Sequence, residues 1–414
     1  MRTTLVFLLS LVCTVFAQQQ TQDLTQLLNG NSNITQFAAL IESFGDVYAN
    51  LSFQRDITIL APSNDAFTKI PNSPIGSIFA NNDSDAIRAI LEYHVLLGLH
   101  RSDSFNSSFS FLPSWLLNST YTNVTGGQVV SGVQQSPNVE VFVSGVGSRT
   151  QITSPNLNFT GGLLHVIDNF LEPPQSFINT APTFNVTAAG GATAVANMTD
   201  FLDEFHDLTF FVPDNNAFQN LGSTLSTMSP SNLEKLLSYH IVDSSKFRGV
   251  AYGTKLFNGT VLPSLQGGNL TITFASNSLF VNQARIIQGD LLLANGVMHI
   301  IDSVLDYNAS GVQPNPQLPT AAAIIPGSAL PDNQVPFTSN LPSSVTSFVG
   351  ATVSTEAGSA ATTTYDSAAT TTTDSGQATS TSTPKKKGAG NTLEARGAWM
   401  IGVLGSLVVV FGMR

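Results

Sequence analysis

The chain has 414 residues and a formal net charge of −11. Because an acidic chain repels phosphate groups, nucleic acid and anionic lipid surfaces are disfavoured as direct partners. The single cysteine, Cys13, lies in an N-terminal stretch that we expect to be removed as a leader. A mature chain without cysteine excludes thiol catalysis, cysteine-ligated metals and cysteine redox chemistry.

Residues 1–17 have the pattern of a secretory signal peptide. Arg2 provides a basic start, an apolar run follows, and the small residue Ala17 marks the expected cleavage point. The alternative is a membrane anchor, but the apolar run is short for a helix that crosses a bilayer. The sequence therefore predicts a secreted chain whose mature form begins at residue 18.

Three sequence blocks occur twice, in the same order. The first copy has them at residues 57–67, 91–95 and 162–168, and the second at residues 208–218, 237–241 and 296–302. Each copy is long enough to bury its own core. The repeat therefore predicts two tandem globular domains, at residues 18–173 and 174–308.

Local signals in both copies indicate a mixture of helices and strands. The apolar run at residues 57–62 is rich in β-branched side chains and predicts a buried strand. Ser63 and Asp214 stand where helix N-caps are expected, and Ser229 followed by Pro230 indicates another helix start. Later residues in each copy alternate between apolar and polar, which predicts further strands. Because the elements do not follow a βαβ order, the pattern favours the α+β class.

The repeated blocks resemble the fasciclin domain, over about residues 20–310. The family's motifs are matched by a Pro-x-(Asp/Asn)-x-Ala-Phe turn at Pro62–Phe67 and Pro213–Phe218, a Tyr-His pair at Tyr93-His94 and Tyr239-His240, and a closing strand at Asn295–Asp302. The first copy departs from the closing motif, with Gly161-Gly162 in place of Asn-Gly. The resemblance implies two fasciclin-like domains, each a β-wedge or sandwich with helices packed on one side.

Four histidines occupy repeated positions and could serve catalysis or structure. The catalytic hypothesis pairs His94 with His165 and His240 with His299, with Asp168 or Asp302 orienting a ring. In the alternative, each imidazole satisfies buried backbone groups. The sequence shows no His-x-x-x-His pair, no nucleophile elbow and no phosphate-binding loop. We therefore predict no catalytic residue, no metal site and no cofactor.

Five residues are candidates for binding a partner. In animal fasciclin proteins the Tyr-His region is linked to integrin binding, so the resemblance implies a role for Tyr93, His94, Tyr239 and His240. The alternative is that they close a helix onto the core. Trp115, in an insertion at residues 102–122 of the first copy, could present an aromatic patch to glycans or proteins, or belong to a satellite core. Because the copies differ there, we expect specificity in this insertion.

The C-terminal residues predict a stalk and a lipid anchor. Residues 309–387 are rich in Ser, Thr and Pro and have few large apolar side chains, which predicts a disordered, O-glycosylated stalk. Residues 388–414 have the small-residue, spacer and apolar-tail pattern of a GPI-attachment signal, with attachment expected at Gly388. The alternative is a transmembrane helix at residues 398–413.

Twelve Asn-x-Ser/Thr sequons indicate a heavily N-glycosylated surface. They lie at Asn33, Asn50, Asn82, Asn106, Asn118, Asn123, Asn158, Asn185, Asn197, Asn258, Asn269 and Asn308. Asn269 begins an expected strand and is the doubtful acceptor among them.

Together these features predict a non-enzymatic, GPI-anchored glycoprotein at the outer face of the plasma membrane or in the cell wall, similar to fungal fasciclin-like proteins. We expect it to act in cell adhesion or matrix interaction. The expected partners are cell-surface or matrix proteins or glycans, and the membrane through the lipid, with no nucleic acid. One alternative is a vacuolar endomembrane protein that acts in membrane fusion or autophagy. Another is an enzyme that modifies wall polysaccharide.

Overall fold

The computed structural model describes residues 22–309, 311–331 and 334–343. The expected signal peptide, the greater part of the expected stalk, Gly388 and the C-terminal apolar segment lie outside these residues. Within the described ranges, no helix combines the length and the apolar character needed to cross a membrane.

The first copy contains six α-helices and seven strands in its described part. The helices are α1 (Leu24–Gly30), α2 (Thr35–Ser43), α3 (Gly45–Phe53), α4 (Asn64–Lys69), α5 (Gly76–Ala80) and α6 (Ser84–Tyr93). The strands are β1 (Ile57–Pro62), β2 (Val95–Leu97), β3 (Ser110–Pro113), β4 (Val129–Ser136), β5 (Val139–Val143), β6 (Arg149–Phe159) and β7 (Gly162–Ile167).

The second copy repeats this order of elements with one strand fewer. Its helices are α7 (Phe177–Thr180), α8 (Thr187–Val195), α9 (Thr199–Glu204), α10 (Asn215–Asn220), α11 (Gly222–Leu225) and α12 (Pro230–Tyr239). Its strands are β8 (Leu208–Pro213), β9 (Val261–Pro263), β10 (Asn269–Ala275), β11 (Ser278–Val281), β12 (Ala284–Leu293) and β13 (Gly296–Ile301).

Each copy forms one mixed sheet in which the first long strand pairs in parallel with the last. The strand order is β2-β1-β7-β6-β5-β4-β3 in the first copy and β8-β13-β12-β11-β10-β9 in the second. β1 with β7 and β8 with β13 are parallel pairs, and the other neighbours are antiparallel. With helices ahead of and between the strands, this architecture confirms the α+β class.

The helix starts follow the sequence signals. The side chains of Ser63, Asp214 and Ser229 each accept a hydrogen bond from the backbone amide three residues ahead, at 3.3, 2.7 and 3.4 Å. Pro230 occupies the first position of α12, where its missing N–H costs no helical hydrogen bond. These three caps, and the buried strand over residues 57–62, are confirmed.

Each copy has its own apolar core. The first core runs from Leu24 to Leu171 along the chain, and the two main clusters of the second copy lie between Phe177 and Leu305. Both faces of β1 and β8 are buried, since helices cover one side and the curled sheet covers the other. The repeated blocks therefore lie at the centre of each domain.

The described residues after 310 pack against the second domain. Leu330, Phe337 and Leu341 lie over α8 and the start of α11, where Gly190, Gly191 and Gly222 present no side chain. A Cβ on any of these glycines would overlap this chain segment.

We call residues 318–331 and 334–341 the strap. Its backbone exchanges hydrogen bonds with Gln219 and Ser223, and the Thr224 hydroxyl donates to the Pro326 carbonyl at 2.6 Å. The sequence predicts that the stalk begins at residue 309, whereas the described residues of the strap pack on the second domain. Composition could not show this packing, because a few apolar side chains are enough to hold a segment on a surface that the domain has already formed.

Candidate interaction site

The Tyr-His pairs end the longest helix of each copy and attach it to the sheet. The Tyr93 hydroxyl donates to the Val129 carbonyl at 2.8 Å, and the Tyr239 hydroxyl donates to the Asn269 carbonyl at 3.0 Å. All four side chains of the two pairs are buried, with at most 4% of their surface exposed. They therefore fix the junction between helix and sheet.

The imidazoles of His94 and His240 use both ring nitrogens on backbone groups. His94 Nδ1 donates to the Ile90 carbonyl at 2.7 Å, and Nε2 accepts from the Leu171 amide at 2.9 Å. His240 makes the same two bonds, at 2.8 and 2.9 Å, to the carbonyl four residues earlier and to the Leu305 amide. Because the amide can only donate, these bonds define a neutral ring protonated at Nδ1.

Burial strongly favours the neutral form of both rings. It lowers the pKa of His94 and of His240 to about 4, and the hydrogen bond to the preceding carbonyl only partly opposes this. At neutral pH neither ring carries charge, and neither has a nitrogen left to take a proton from a substrate.

His165 and His299 are held in the opposite tautomer. His165 Nδ1 accepts from the Asn156 amide at 3.1 Å, and its Nε2 donates to the His100 carbonyl at 2.8 Å. His299 repeats both bonds in the second copy, at 3.2 and 3.0 Å. Burial lowers the pKa of each ring. These histidines link the last two strands of the domain to the segment that follows β2 or α12.

The catalytic hypothesis therefore finds no geometric support. Asp168 and Asp302 each accept from a backbone amide, of Gln151 and Arg285 respectively, at 2.8 Å, and do not orient a histidine ring. Among the residues that the structure describes, no group of three His, Cys, Asp or Glu side chains could hold a metal ion. The interpretation of the histidines as backbone-satisfying groups accounts for all of these bonds.

The expected partner-binding residues require a correction. Tyr93, His94, Tyr239 and His240 are buried, so a partner cannot reach them in this structure. Trp115 is half-buried against the first core, and its amide donates to the Val95 carbonyl at 2.8 Å. Trp115 therefore belongs to a satellite of that core rather than to an open aromatic patch.

The two domains contact each other through a surface that sequence analysis missed. Phe111 stacks on Tyr252 with ring centroids 4.3 Å apart and planes 15° from parallel. Around this stack lies an apolar cluster formed by Val124, Val129, Val250, Tyr252, Leu292 and Val297. The available signal was the insertion of the first copy, since Phe111 lies in it and Val124, another residue of the first domain in this cluster, follows it closely.

Polar contacts fix the orientation of this interface. The Asp207 carboxylate accepts from the amide and from the hydroxyl of Thr125, both at 2.8 Å. The buried Gln128 amide group donates to the Leu293 and Ala294 carbonyls, both at 3.1 Å. A contact that combines ring stacking with directional hydrogen bonds gives the pair a defined relative orientation.

Glu172, in the connection between the domains, is an unusual buried carboxyl. Its Oε2 has no hydrogen-bond partner, and its carbonyl accepts from the Gly145 amide at 2.7 Å. Burial raises the pKa of Glu172 to about 7, and a hydrogen bond with Ser148 partly opposes the rise.

The sequon asparagines divide into two groups by exposure. Eleven of the twelve are exposed, including Asn269 at the start of β10. Asn123 is half-buried between the domains, with its amide donating to the Ala294 carbonyl and its side chain to the Asp203 carbonyl. Asn123 is therefore the least accessible of the twelve sequon asparagines.

A family model for the fasciclin domain matches residues 19–173 and 185–307. The chain belongs to the fasciclin family. The resemblance stated from the motifs is thereby confirmed.

Similar proteins come from fungi and animals. The chain is 28% identical over 341 residues to a fasciclin-like arabinogalactan protein of Arthroderma benhamiae, covering 81% of this chain and 78% of that protein. It is 27% identical over 260 residues to the transforming growth factor-beta-induced protein ig-h3 of Sus scrofa, covering 60% of this chain and 34% of that protein.

A solved FAS1 domain pair from the insect cell adhesion molecule fasciclin I is also similar. The match has 17% identity and a TM-score of 0.33, and covers 67% of this chain and 98% of that one. Membership of the family supports a non-enzymatic, adhesion-type role.

Proposed function

We propose that this fasciclin protein is a secreted cell-surface glycoprotein that mediates cell adhesion or contact with a wall or matrix. Two docked domains present its binding surface, and a stalk links them to a GPI anchor attached at Gly388. The partners are proteins or glycans of the cell surface or matrix.

The observation that carries this proposal is the complete use of the repeated histidines by backbone groups. Because His94, His165, His240 and His299 each satisfy two buried backbone groups, these four side chains serve the fold and have no free ring nitrogen to act as a base. Eleven exposed sequons agree with a secreted, glycosylated surface. The folded pair then acts as a binding platform, in which two linked domains can raise avidity for a repeated ligand.

The test uses cells that lack the chain and cells that produce it in full length. Production should increase adhesion of the cells to each other or to isolated matrix, and a variant without residues 398–413 should be secreted and lose the effect. Equal adhesion with and without the full chain would contradict the proposal.

The anchor has its own test. A phosphatidylinositol-specific phospholipase should release the chain from intact cells, because it cleaves the lipid of a GPI anchor. Retention of the chain would favour the alternative transmembrane helix at residues 398–413.

A further inference from the structure

The first domain has an unassigned cleft of about 800 Å³. It lies beside the turn from β6 to β7, and its lining includes Arg55, Asp56, Leu99, Asn158 and Thr160. This volume is within the range of sites that bind small organic groups. Asn158, a sequon asparagine, has its exposed side chain in this cleft.

The corresponding face of the second domain is the one that contacts the first domain. Asn158 pairs with Leu163 across β6 and β7, and Leu292 pairs with Val297 at the same register across β12 and β13. Leu292 and Val297 both belong to the apolar cluster between the domains. A glycosylation sequon therefore occupies, in the first domain, the position of an interface leucine.

A second pair of positions gives the same correspondence. The Thr58 hydroxyl accepts a hydrogen bond from the amide of the residue after Leu99, at 2.9 Å. In the second domain, the Thr209 hydroxyl accepts one from the amide of the residue after Val250, at 2.8 Å. Leu99 and Val250 therefore occupy equivalent positions. Val250 is 3% exposed because the first domain covers it, whereas Leu99 is 52% exposed. Leu99 thus retains the apolar character of an interface position without a domain against it.

The acidic residue of the interface is also repeated. Asp56 and Asp207 each precede the first long strand of their domain, with positive φ of 57° and 54°. Asp207 accepts two hydrogen bonds from Thr125 of the docked loop. Asp56 is exposed and lines the cleft. The first domain therefore has, at the position equivalent to Asp207, a carboxylate that can accept hydrogen bonds from hydroxyl or amide groups.

Within the part of the chain that the structure describes, the two loops equivalent to the docked one are not available to a second copy. The loop between Ser114 and Gln128, which covers this face on the second domain, is already engaged within its own chain. Its counterpart between Ser264 and Gly268 is a tight turn, closed by a 2.7 Å hydrogen bond. Of the described loops, neither is therefore free to cover this face of the first domain.

We propose that the N-glycan attached to Asn158 folds back into this cleft and covers the face that a docked domain covers in the second copy. This inference rests on the proposal that the chain is secreted and glycosylated. The acetamido methyl of the first sugar packs on Leu99, and Asp56 accepts hydrogen bonds from sugar hydroxyls. The amide of a glycosylated asparagine keeps one N–H, which can preserve the bond from Asn158 to the Asn156 carbonyl at 3.3 Å.

The experiment compares glycan accessibility at two sites of the full secreted chain. An endoglycosidase that cleaves between the two core sugars is applied to the native protein, and trimming at each site is followed by glycopeptide mass spectrometry. Asn50, exposed on α3, is the matched control site. Trimming at Asn158 should be about tenfold slower than at Asn50, as expected if the docked glycan predominates by that factor. The difference should vanish after denaturation.

Variants show which contacts protect the glycan. Leu99→Asp should accelerate trimming at Asn158 and leave Asn50 unchanged. Asn158→Gln should increase hydrogen exchange in residues 156–163, whereas Asn50→Gln should not. The second variant keeps the test valid if Leu99→Asp does not fold.

Three results would overturn the inference. They are equal trimming at the two sites, an unoccupied Asn158 beside an occupied Asn50, and dimer formation in light scattering by the unmodified chain with Asn158 glycosylated, which would identify a second copy as the occupant. Absence of glycans at every sequon would instead overturn the proposal of a secreted glycoprotein itself.

Discussion

Replacing His240 by leucine tests whether the repeated histidines are parts of the fold. Leucine fills much of the space of the ring but offers no hydrogen-bonding group. The change leaves the Leu236 carbonyl and the Leu305 amide, which now bond to the ring at 2.8 and 2.9 Å, buried without partners. Each unpaired buried backbone group costs about 1–3 kcal/mol, so the expected loss is about 2–6 kcal/mol. This is a large part of the ~5–15 kcal/mol that stabilises a typical domain.

The assay is urea unfolding of the secreted chain, followed by hydrogen exchange of peptides from β8 and β13. His240→Leu should shift the unfolding midpoint of these peptides strongly. His206→Leu is the control, because His206 is exposed and its loss should cost less than about 0.5 kcal/mol. A midpoint for His240→Leu equal to that of the unmodified chain would refute the reasoning.

The pH dependence adds a readout specific to the ring. The pKa of His240 is about 4 in the folded state and about 6.5 when unfolded, so below pH 6.5 the unfolded state binds the proton first. His240 and His94 should therefore each contribute stability that is fully present above pH 6.5 and is lost toward pH 4. The loss should be about 1.4 kcal/mol per pH unit for each ring. His240→Leu should remove its share of this slope.

Three further predictions concern the domain junction and the strap. Burial raises the pKa of Glu172 to about 7, so its contribution is present below about pH 4.5 and lost as the pH rises through 7. Glu172→Gln should therefore stabilise the chain at pH 8 by about 1–3 kcal/mol in urea unfolding, and no gain at pH 8 would contradict this. Gly191→Ala should displace the strap, since its Cβ would overlap the Phe337 carbonyl, and should expose residues 334–341 to proteolysis. The control Gly30→Ala, with open space around it, should not. Thr125→Val removes a hydrogen bond to a carboxylate across the interface, so docking should weaken by about 1.5–3 kcal/mol, and small-angle scattering should detect a less compact pair. Unchanged scattering would show that this bond does not hold the domains together.

Sequence alone predicted the elements whose causes are local. The caps at Ser63, Asp214 and Ser229 depend on one side chain and an amide three residues ahead, and all three are present. The buried strand at residues 57–62 follows from a short apolar run. The repeated blocks also gave the family, because motif order along a chain needs no knowledge of contacts. Such signals lie within a few residues of each other, so they can be recognised without the fold.

Only the tertiary structure decided which surfaces are accessible. The Tyr-His pairs suggested a binding site, yet the fold buries them, because α6 and α12 end against strands that follow much later in the chain. The domain interface and the strap also join segments far apart in sequence, so no local pattern announces them. The repeat determined that two similar domains form. Shape complementarity between segments that are distant in the sequence determined that the two domains dock. It also determined that equivalent faces of the two domains differ, since the first domain covers this face of the second, whereas, among the described residues, no domain covers it on the first.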